Sequence, residues 1–253
     1  MTRFNEWCTD NETSVASHKL HLLTADPTKQ PHAVQVVAKA VPDYYAAPSR
    51  IAGLLARLGR TDAAKYVSQK LPTLPTIKSG DLGEILCNAY VLEATPFKLG
   101  IKRLRWKDHR NMSMRGEDVL AFSLGAKGAG LKVLKAEVKS RASMPTSVIE
   151  EARVALSANG DLPSAHAMSF VADRLNETGD KALKDALDGA LLTDGLKVAQ
   201  VTHMLFTFSG SNPSNLLKTN LSAYAGVVSQ HYIALHVKSH QAFIKAVFGA
   251  VGV

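Results

Sequence analysis

The sequence has few of the features that mark secreted, disulfide-bonded or membrane-spanning proteins. Its 253 residues include two cysteines, Cys8 and Cys87, which are too few for a disulfide framework and lack the spacing of a zinc site. There is no low-complexity tract, and no apolar run is long enough to cross a bilayer. The polar N-terminal segment also lacks the apolar stretch of a secretory signal. We therefore expect a soluble, cytoplasmic protein without a membrane partner.

Positive charge is concentrated in one part of the chain. The sequence has 30 lysine and arginine residues against 22 acidic ones, a net charge of +8. The segment 98–141 alone contains twelve of the basic residues and four of the acidic ones, so the rest of the chain is electrically balanced. A block of one sign is typical of a phosphate-binding surface. The candidate DNA-contacting residues in this segment are Lys98, Lys102, Arg103, Arg105, Lys107, Arg110, Arg115 and Arg141.

The N-terminal part of the sequence has mixed patterns. Residues 17–23 and 33–41 show the alternation of strands, and residues 49–70 show a helical pattern. Two prolines in the run 71–80 disfavour a helix, so we predict a connector there. These patterns assign no function to the first seventy residues.

A helix is predicted immediately after this connector. Ser79 or Asp81 can cap it, and it should end before Pro96 because the residue preceding a proline disfavours the helical conformation. The helix is apolar on nearly all sides. We therefore expect Glu84, which points away from the main apolar stripe, to be buried and to have a specific role.

Strands and helices then alternate in groups, which predicts an α/β fold. Strands are predicted at 101–106, 118–124 and 131–140, with a glycine-rich turn at 125–130 before the third. Further helices are predicted at 147–156, 165–176, 180–192 and 239–249, and further strands at 203–209 and 231–237. We expect a core that begins at residue 78, an N-terminal extension (1–77) packed on it, and a C-terminal strand-helix addition.

Ionisable side chains meet on one face of the predicted hairpin. Side chains alternate in direction along a strand, so Glu137 and Lys139 project together. The hairpin would bring Asp118, at the start of the preceding strand, beside Glu137. Because Mg²⁺ prefers one or two carboxylates with several waters, Asp118 and Glu137 are candidate ligands for Mg²⁺ or another divalent cation such as Mn²⁺. The carbonyl oxygen of Val138 is a candidate for a further ligand.

These residue types suit the hydrolysis of a phosphodiester. A divalent cation stabilises charge that develops on the phosphate and makes water nucleophilic near neutral pH. Lys139 would orient or deprotonate that water, and Glu84 would complete the acidic cluster. The pattern also fits a salt bridge between Glu137 and Lys139 on an exposed sheet, with Asp118 a turn residue, and the residues alone leave both interpretations open.

Three stretches resemble a known family: SGDLGEILCNAYVLE (79–93), GEDVLAFSL (116–124) and LKVLKAEVKSR (131–141). They are similar to the HamA nuclease subunits of the bacterial Hachiman anti-phage defence systems, which belong to the PD-(D/E)xK superfamily. The resemblance is strong over 78–141 and weak on the flanks. It implies a restriction-endonuclease-like α/β core.

The resemblance also implies roles for individual residues. Glu137 and Lys139 correspond to the catalytic acid and lysine, Asp118 to the metal-binding aspartate, and Glu84 to the helical glutamate. One departure is that Gly116 and Glu117 precede Asp118, without the proline of the superfamily's name. The family's other component is HamB, a superfamily-2 helicase, so the resemblance implies a heterodimer with such a partner.

Together these features predict a Mg²⁺-dependent deoxyribonuclease that is the effector of an anti-phage complex. Its partner helicase would keep it inactive until infection or DNA damage. Two alternatives stay open: a non-catalytic DNA-binding module of the same fold that tethers the helicase, and an RNA-directed nuclease, because phosphate contacts carry no base information. Trp106 and Phe122 can stack on bases, but strand aromatics are more often core, and neither has an assigned role.

Overall fold

A seven-stranded sheet organises residues 2–125 and 130–252, the part of the chain that the computed structural model describes. The strands are β1 (Cys8–Val15), β2 (His18–Ala25), β3 (Lys98–Leu99), β4 (Val119–Ser123), β5 (Lys132–Arg141), β6 (Val201–Ser209) and β7 (Ser229–His236). The helices are α1 (Phe4–Trp7), α2 (Gln30–Tyr45), α3 (Pro48–Leu58), α4 (Arg60–Lys70), α5 (Pro75–Ala94), α6 (Thr146–Ser157), α7 (Ala165–Thr178), α8 (Lys181–Leu192), α9 (Ser214–Ser222) and α10 (His240–Gly249). Short 3₁₀ turns lie at Pro27–Lys29, Arg103–Trp106 and Val198–Gln200.

The sheet has a parallel centre and antiparallel edges. Its strand order is β1-β2-β7-β6-β5-β4-β3. The four central strands β2, β7, β6 and β5 are parallel, whereas β1 at one edge and β4 and β3 at the other are antiparallel to their neighbours. The first 77 residues therefore contribute two strands to the same sheet as the β4–β5 hairpin. The α/β class predicted from the sequence is confirmed.

Helices cover both faces of the sheet, as parallel strands require. On one face α2, α5 and α10 pack on it through a large apolar cluster that includes Val37, Ile85 and Phe243. On the other face α6 and α9 form a second cluster, and α7 and α8 form a third around Phe122 and Leu175. Within the described ranges, no helix is long and apolar enough to span a membrane.

Most predicted elements after residue 80 are present, but three earlier predictions were wrong. Residues predicted as a strand at 33–41 lie in α2, because their buried members recur at helical spacing. The run predicted as a connector contains the start of α5 at Pro75, since proline is well accommodated in a first helical turn. Ser79 and Asp81 are consequently buried inside the helix and do not cap it.

The strand predicted at 101–106 is also wrong. Only Lys98–Leu99 pairs with β4, and Arg103–Trp106 forms a 3₁₀ turn. Lys102 and Arg105 both bind the carboxylate of Asp43, whereas residues three apart on a strand would point to opposite faces. The helical pattern at 49–70 is two helices separated by Gly59, whose φ of 83° ends the first. Most of the glycine-rich turn predicted at 125–130 lies outside the described residues.

Candidate functional site

The β4–β5 hairpin brings Asp118 beside Glu137, as the sequence predicted. Val119 pairs with Ala136 in the antiparallel register, which places the preceding residue, Asp118, next to Glu137. The backbone N–H of Val138 donates a 2.8 Å hydrogen bond to Oδ2 of Asp118. That bond fixes one oxygen of the carboxylate against β5 although Asp118 itself lies outside the strand.

Glu137 and Lys139 share one face of β5, which confirms the predicted alternation. Nζ of Lys139 donates a 2.9 Å hydrogen bond to Oε1 of Glu137. The Glu137 side chain is 17% exposed and the Lys139 side chain is 20% exposed, so both lie at the edge of the interior. The alternative of a fully exposed ion pair, with Asp118 a turn residue away from it, does not match this geometry.

Helix α5 approaches β5 closely enough to bring Glu84 to the end of the hairpin. A methyl group at Gly83 would lie 3.1 Å from Cγ1 of Val138 and 3.2 Å from Cβ of Ser140. Glycine therefore permits the close packing of helix on strand at this point. The carboxylate of Glu84 is buried, as predicted.

Arg103 links Glu84 to Asp118. Its Nε and Nη2 donate to the two carboxylate oxygens of Glu84 at 3.0 and 2.9 Å, and Nη2 also donates to Oδ1 of Asp118 at 3.0 Å. The Arg103 side chain is 13% exposed. Arg103 was predicted from the sequence to contact DNA, but in the structure it binds the carboxylates of Glu84 and Asp118. No sequence pattern indicated this pairing, because the three residues lie on separate elements.

Burial and crowding raise the pKa values of the three carboxyl groups. Burial raises the pKa of Glu84 to about 7, although the Arg103 guanidinium opposes the shift. Burial likewise raises the pKa of Asp118 against the effect of Arg103. The pKa of Glu137 is raised by burial and then by the charge of Asp118, with Lys139 acting in the opposite direction. In each acid the surroundings thus disfavour the ionised form relative to a free carboxyl group.

The carboxylates fit a divalent cation in ligand type. Asp118 and Glu137 are adjacent hard-oxygen donors, and Mg²⁺ needs only one or two such groups with water. In the conformation of the described residues no cluster of three or more acidic, histidine or cysteine side chains is arranged around a common metal position. Arg103 accounts for part of this, because it holds Oδ1 of Asp118 and both oxygens of Glu84. A cation bound through Oδ1 of Asp118 would compete with the Arg103 hydrogen bond for that oxygen.

Three further residues predicted to contact DNA also pair with acids of the chain. Lys102 and Arg105 both bind the carboxylate of Asp43, and Nη2 of Arg105 does so at 2.6 Å. Nζ of Lys107 lies 2.7 Å from Oδ2 of Asp81, and its side chain is 4% exposed. This arrangement differs from the free basic surface that the sequence predicted. The other four residues, Lys98, Arg110, Arg115 and Arg141, are exposed or half-buried.

A cavity of about 420 Å³ opens next to these carboxylates. Glu84, Arg103 and Asp118 form part of its lining. Helix α7 supplies another part, through Phe170 and Arg174. The sequence pattern around Phe170 and Arg174 is that of an ordinary amphipathic helix and predicts no functional role for either residue.

The chain is similar to known proteins along nearly its full length. The sequence model of the HamA family matches residues 1–251. The sequence is also 25% identical over 252 residues to the Hachiman protein HamA of Bacillus cereus, an alignment that covers 97% of this chain and 89% of that protein. These matches extend well beyond the segment 78–141 in which the sequence resemblance is strongest. The chain therefore belongs to the HamA family.

Proposed function

We propose that this protein is a divalent-cation-dependent deoxyribonuclease that acts in anti-phage defence. The observation that carries the proposal is the position of Asp118 beside the Glu137–Lys139 pair at the end of one hairpin. The name of the Bacillus cereus relative, a Hachiman protein, supports the defence role. The seven-stranded sheet is compatible with the restriction-endonuclease-like core that the resemblance implies, and we include that fold in the proposal.

The residues of the hairpin divide the chemistry of hydrolysis between them. Asp118 and Glu137 would hold the cation, with the Val138 carbonyl a further candidate, and the cation would polarise the phosphate and lower the pKa of a water. Lys139 is positioned by Glu137 and presents a positive charge at the site lip, where it can orient the attacking water or neutralise the phosphate. Glu84 and Arg103 complete the buried charge network behind Asp118.

The pairing of Arg103 favours a second candidate, a DNA-binding module that does not cut. Arg103 neutralises Glu84 and Asp118 without a metal ion. Such a module would tether a partner to DNA by charge alone. Cleavage is the preferred function because a tether has no need of Glu137 and Lys139 on one strand face beside a third carboxylate.

Plasmid cleavage separates these candidates. Purified protein is incubated with supercoiled plasmid in Mg²⁺, in Mn²⁺ and in EDTA, and a single-stranded RNA of matched length is tested in parallel. The proposal expects nicked or degraded DNA with either cation and intact DNA in EDTA. DNA that stays intact with every cation, despite measurable binding, would establish the tethering module. RNA cleavage without DNA cleavage would establish the RNA-directed alternative.

We further propose that a superfamily-2 helicase binds this chain and restrains it. A nuclease whose surface contacts phosphates without reading bases would damage its own chromosome unless it were held inactive. The expectation is a heterodimer on co-expression, whose nuclease activity rises when ATP and damaged or single-stranded DNA are supplied. Separate elution of the two proteins at micromolar concentration would contradict the restraint and leave the nuclease proposal untouched.

A further inference from the structure

The cavity beside Asp118 has the size and lining of a ligand site. Its volume of about 420 Å³ suits a nucleotide-sized molecule. Carboxylate and guanidinium groups form part of the lining, and aromatic rings with a second guanidinium form another part. We call the second part the aromatic pocket, and it comprises Trp106, Phe170 and Arg174.

The guanidinium of Arg174 lies against both aromatic rings of this pocket. The centre of its guanidinium lies 4.9 Å from the ring centroid of Phe170 and 5.9 Å from that of Trp106. Its Nη1 pairs with Glu177 at 3.1 Å. Its Nε, in contrast, is buried and has no hydrogen-bond partner in the described part of the chain. This Nε is covered by the protein's own atoms, so a ligand in the cavity would contact Arg174 through the exposed part of its side chain, which is 29% exposed.

A nucleobase suits this lining of aromatic rings and a guanidinium. Unpaired bases stack on aromatic side chains and on arginine guanidinium planes, and their carbonyl oxygens and ring nitrogens accept hydrogen bonds. The pocket shares its cavity with Asp118, where the proposed hydrolysis would take place. Met112 and Met114 also line the cavity, and flexible thioether side chains adapt to bases of different shape.

We propose that the aromatic pocket binds one unpaired nucleotide of the DNA substrate, beside the phosphate that Asp118 and Glu137 address. The inference rests on the proposed function and specifies its substrate. A base in an intact duplex must leave the stack before it can enter such a pocket. Strand ends, gaps and single strands are therefore the favoured substrates, and closed duplex is bound mainly through its phosphates.

Tryptophan fluorescence tests the pocket without any cleavage. The chain has two tryptophans: Trp7, which is 1% exposed, and Trp106, which lines the cavity. The full-length protein in EDTA is titrated with dTMP and with a short oligo-dT, with excitation selective for tryptophan. We expect quenching that saturates with either probe and that Trp106→Phe abolishes. Trp7→Phe should leave the quenching in place.

A matched set of variants measures the contribution of Arg174. Arg174→Gln should weaken oligo-dT binding by roughly tenfold, the loss typical of one stacked base. Arg57→Gln, a change at an exposed arginine of α3, should leave it unchanged. An oligonucleotide whose bases are replaced by abasic sugars should bind the wild-type protein as weakly as oligo-dT binds Arg174→Gln.

The results that overturn the pocket differ from those that overturn the nuclease. Absence of quenching, or equal affinity of the abasic and dT oligonucleotides for the wild-type protein, would remove the base-binding site whatever the cleavage assay shows. Base-dependent binding by a protein that never cleaves would refute the proposed hydrolysis and retain the pocket.

Discussion

Arg103 and Asp118 are joined by a 3.0 Å hydrogen bond between Nη2 and Oδ1, although their sequence contexts predict phosphate binding for one and metal binding for the other. The same guanidinium binds Glu84 through two hydrogen bonds. Arg103 thus supplies the positive charge that a divalent cation would otherwise supply. A cation bound through Oδ1 of Asp118 would compete with the Arg103 contact for that oxygen.

Removal of Arg103 should lower stability and increase the response to metal. Arg103→Met leaves the buried carboxylate of Glu84 without a partner, and we expect a loss of roughly 3 kcal/mol in the free energy of unfolding. Saturating Mn²⁺ should then raise the melting temperature more in this variant than in the wild type, because Oδ1 of Asp118 is free. Arg105→Met, which breaks an ion pair with Asp43 instead, is the control. Equal shifts in all three proteins would contradict the competition.

Loss of either residue of the charged pair on β5 should abolish cleavage. Glu137→Ala and Lys139→Ala each remove one proposed catalytic group at the site lip, where truncation costs little stability. We expect plasmid cleavage and protection of cells from phage to disappear while the circular dichroism spectrum is retained. Lys132→Ala changes an exposed lysine of the same strand and should retain both activities. Normal cleavage by either site variant would show that the site is elsewhere.

Exposed basic residues that have no acidic partner in the described part of the structure should determine the affinity for duplex DNA. Arg115 and Arg141 are exposed, whereas Arg105 is bound to Asp43. Arg115→Ala and Arg141→Ala should each weaken binding and reduce the slope of log affinity against log salt by about 0.9 per lost phosphate contact. Arg105→Ala should leave that slope unchanged. Fluorescence anisotropy over a series of salt concentrations measures all three, and an altered slope for Arg105→Ala alone would reverse the assignment.

Two glycines of helix α5 should respond to alanine in opposite directions. An added methyl group has free space at Gly80 but would crowd Val138 and Ser140 at Gly83. Gly80→Ala should stabilise the protein by about 0.5–1 kcal/mol through helix propensity. Gly83→Ala should instead destabilise it by about 1–3 kcal/mol and displace Glu84 from Arg103. Urea unfolding measures the change in stability of both variants. Equal stabilisation by the two substitutions would show that α5 does not need to approach β5 closely at Gly83.

Acid should destabilise the protein through His240. Burial lowers the pKa of this side chain from 6.5 to about 4. Oγ of Ser140 lies 3.0 Å from its Nε2. Between pH 6.5 and pH 4 the unfolded chain therefore binds a proton that the native state excludes. As a result, the contribution of this group to the free energy of unfolding is fully present above pH 6.5 and is lost as the pH drops towards 4. The resulting loss in the free energy of unfolding is on the order of 3 kcal/mol.

A substitution of His240 measures how much of the acid sensitivity comes from this side chain. His240→Gln should lose less stability than the wild type between pH 7.5 and 4.5 in urea unfolding. His166→Gln, at an exposed position of α7, should follow the wild-type curve. Parallel curves for all three proteins would assign the acid sensitivity to other groups.

The sequence was sufficient to predict the hairpin that carries Asp118, Glu137 and Lys139, because alternation along a strand and the register of a hairpin are local properties. It was also sufficient to predict that Glu84 is buried, since its helix is apolar on nearly every side. The partners of the basic residues could not be predicted. Arg103, Arg105 and Lys107 bind acids that are brought near them only by tertiary packing, and composition cannot distinguish a paired cation from a free one.

The error at residues 33–41 has a similar origin. Alternating and helical spacings overlap in short apolar runs, so Val37 and Val41 fit both. The contact of α2 with α10 and the rest of the large apolar cluster resolves the ambiguity in favour of a helix. The cavity also could not be predicted from the sequence, because Trp106 and Arg174 come together from a 3₁₀ turn and a helix that are far apart in the chain.

The parallel pairing of β2 with β7 has a consequence for synthesis of the protein. A hydrogen bond between Gln230 and His18 joins residues 212 positions apart. On the ribosome, β2 can pair with β1 at once, but its other edge must wait for about that many residues until β7 emerges, and contacts of such long range form slowly. A polypeptide interrupted after the β4–β5 hairpin would contain Asp118, Glu137 and Lys139 but would leave β5 without β6 and β2 without β7. Incomplete translation products of this kind should accordingly not form a stable, folded site.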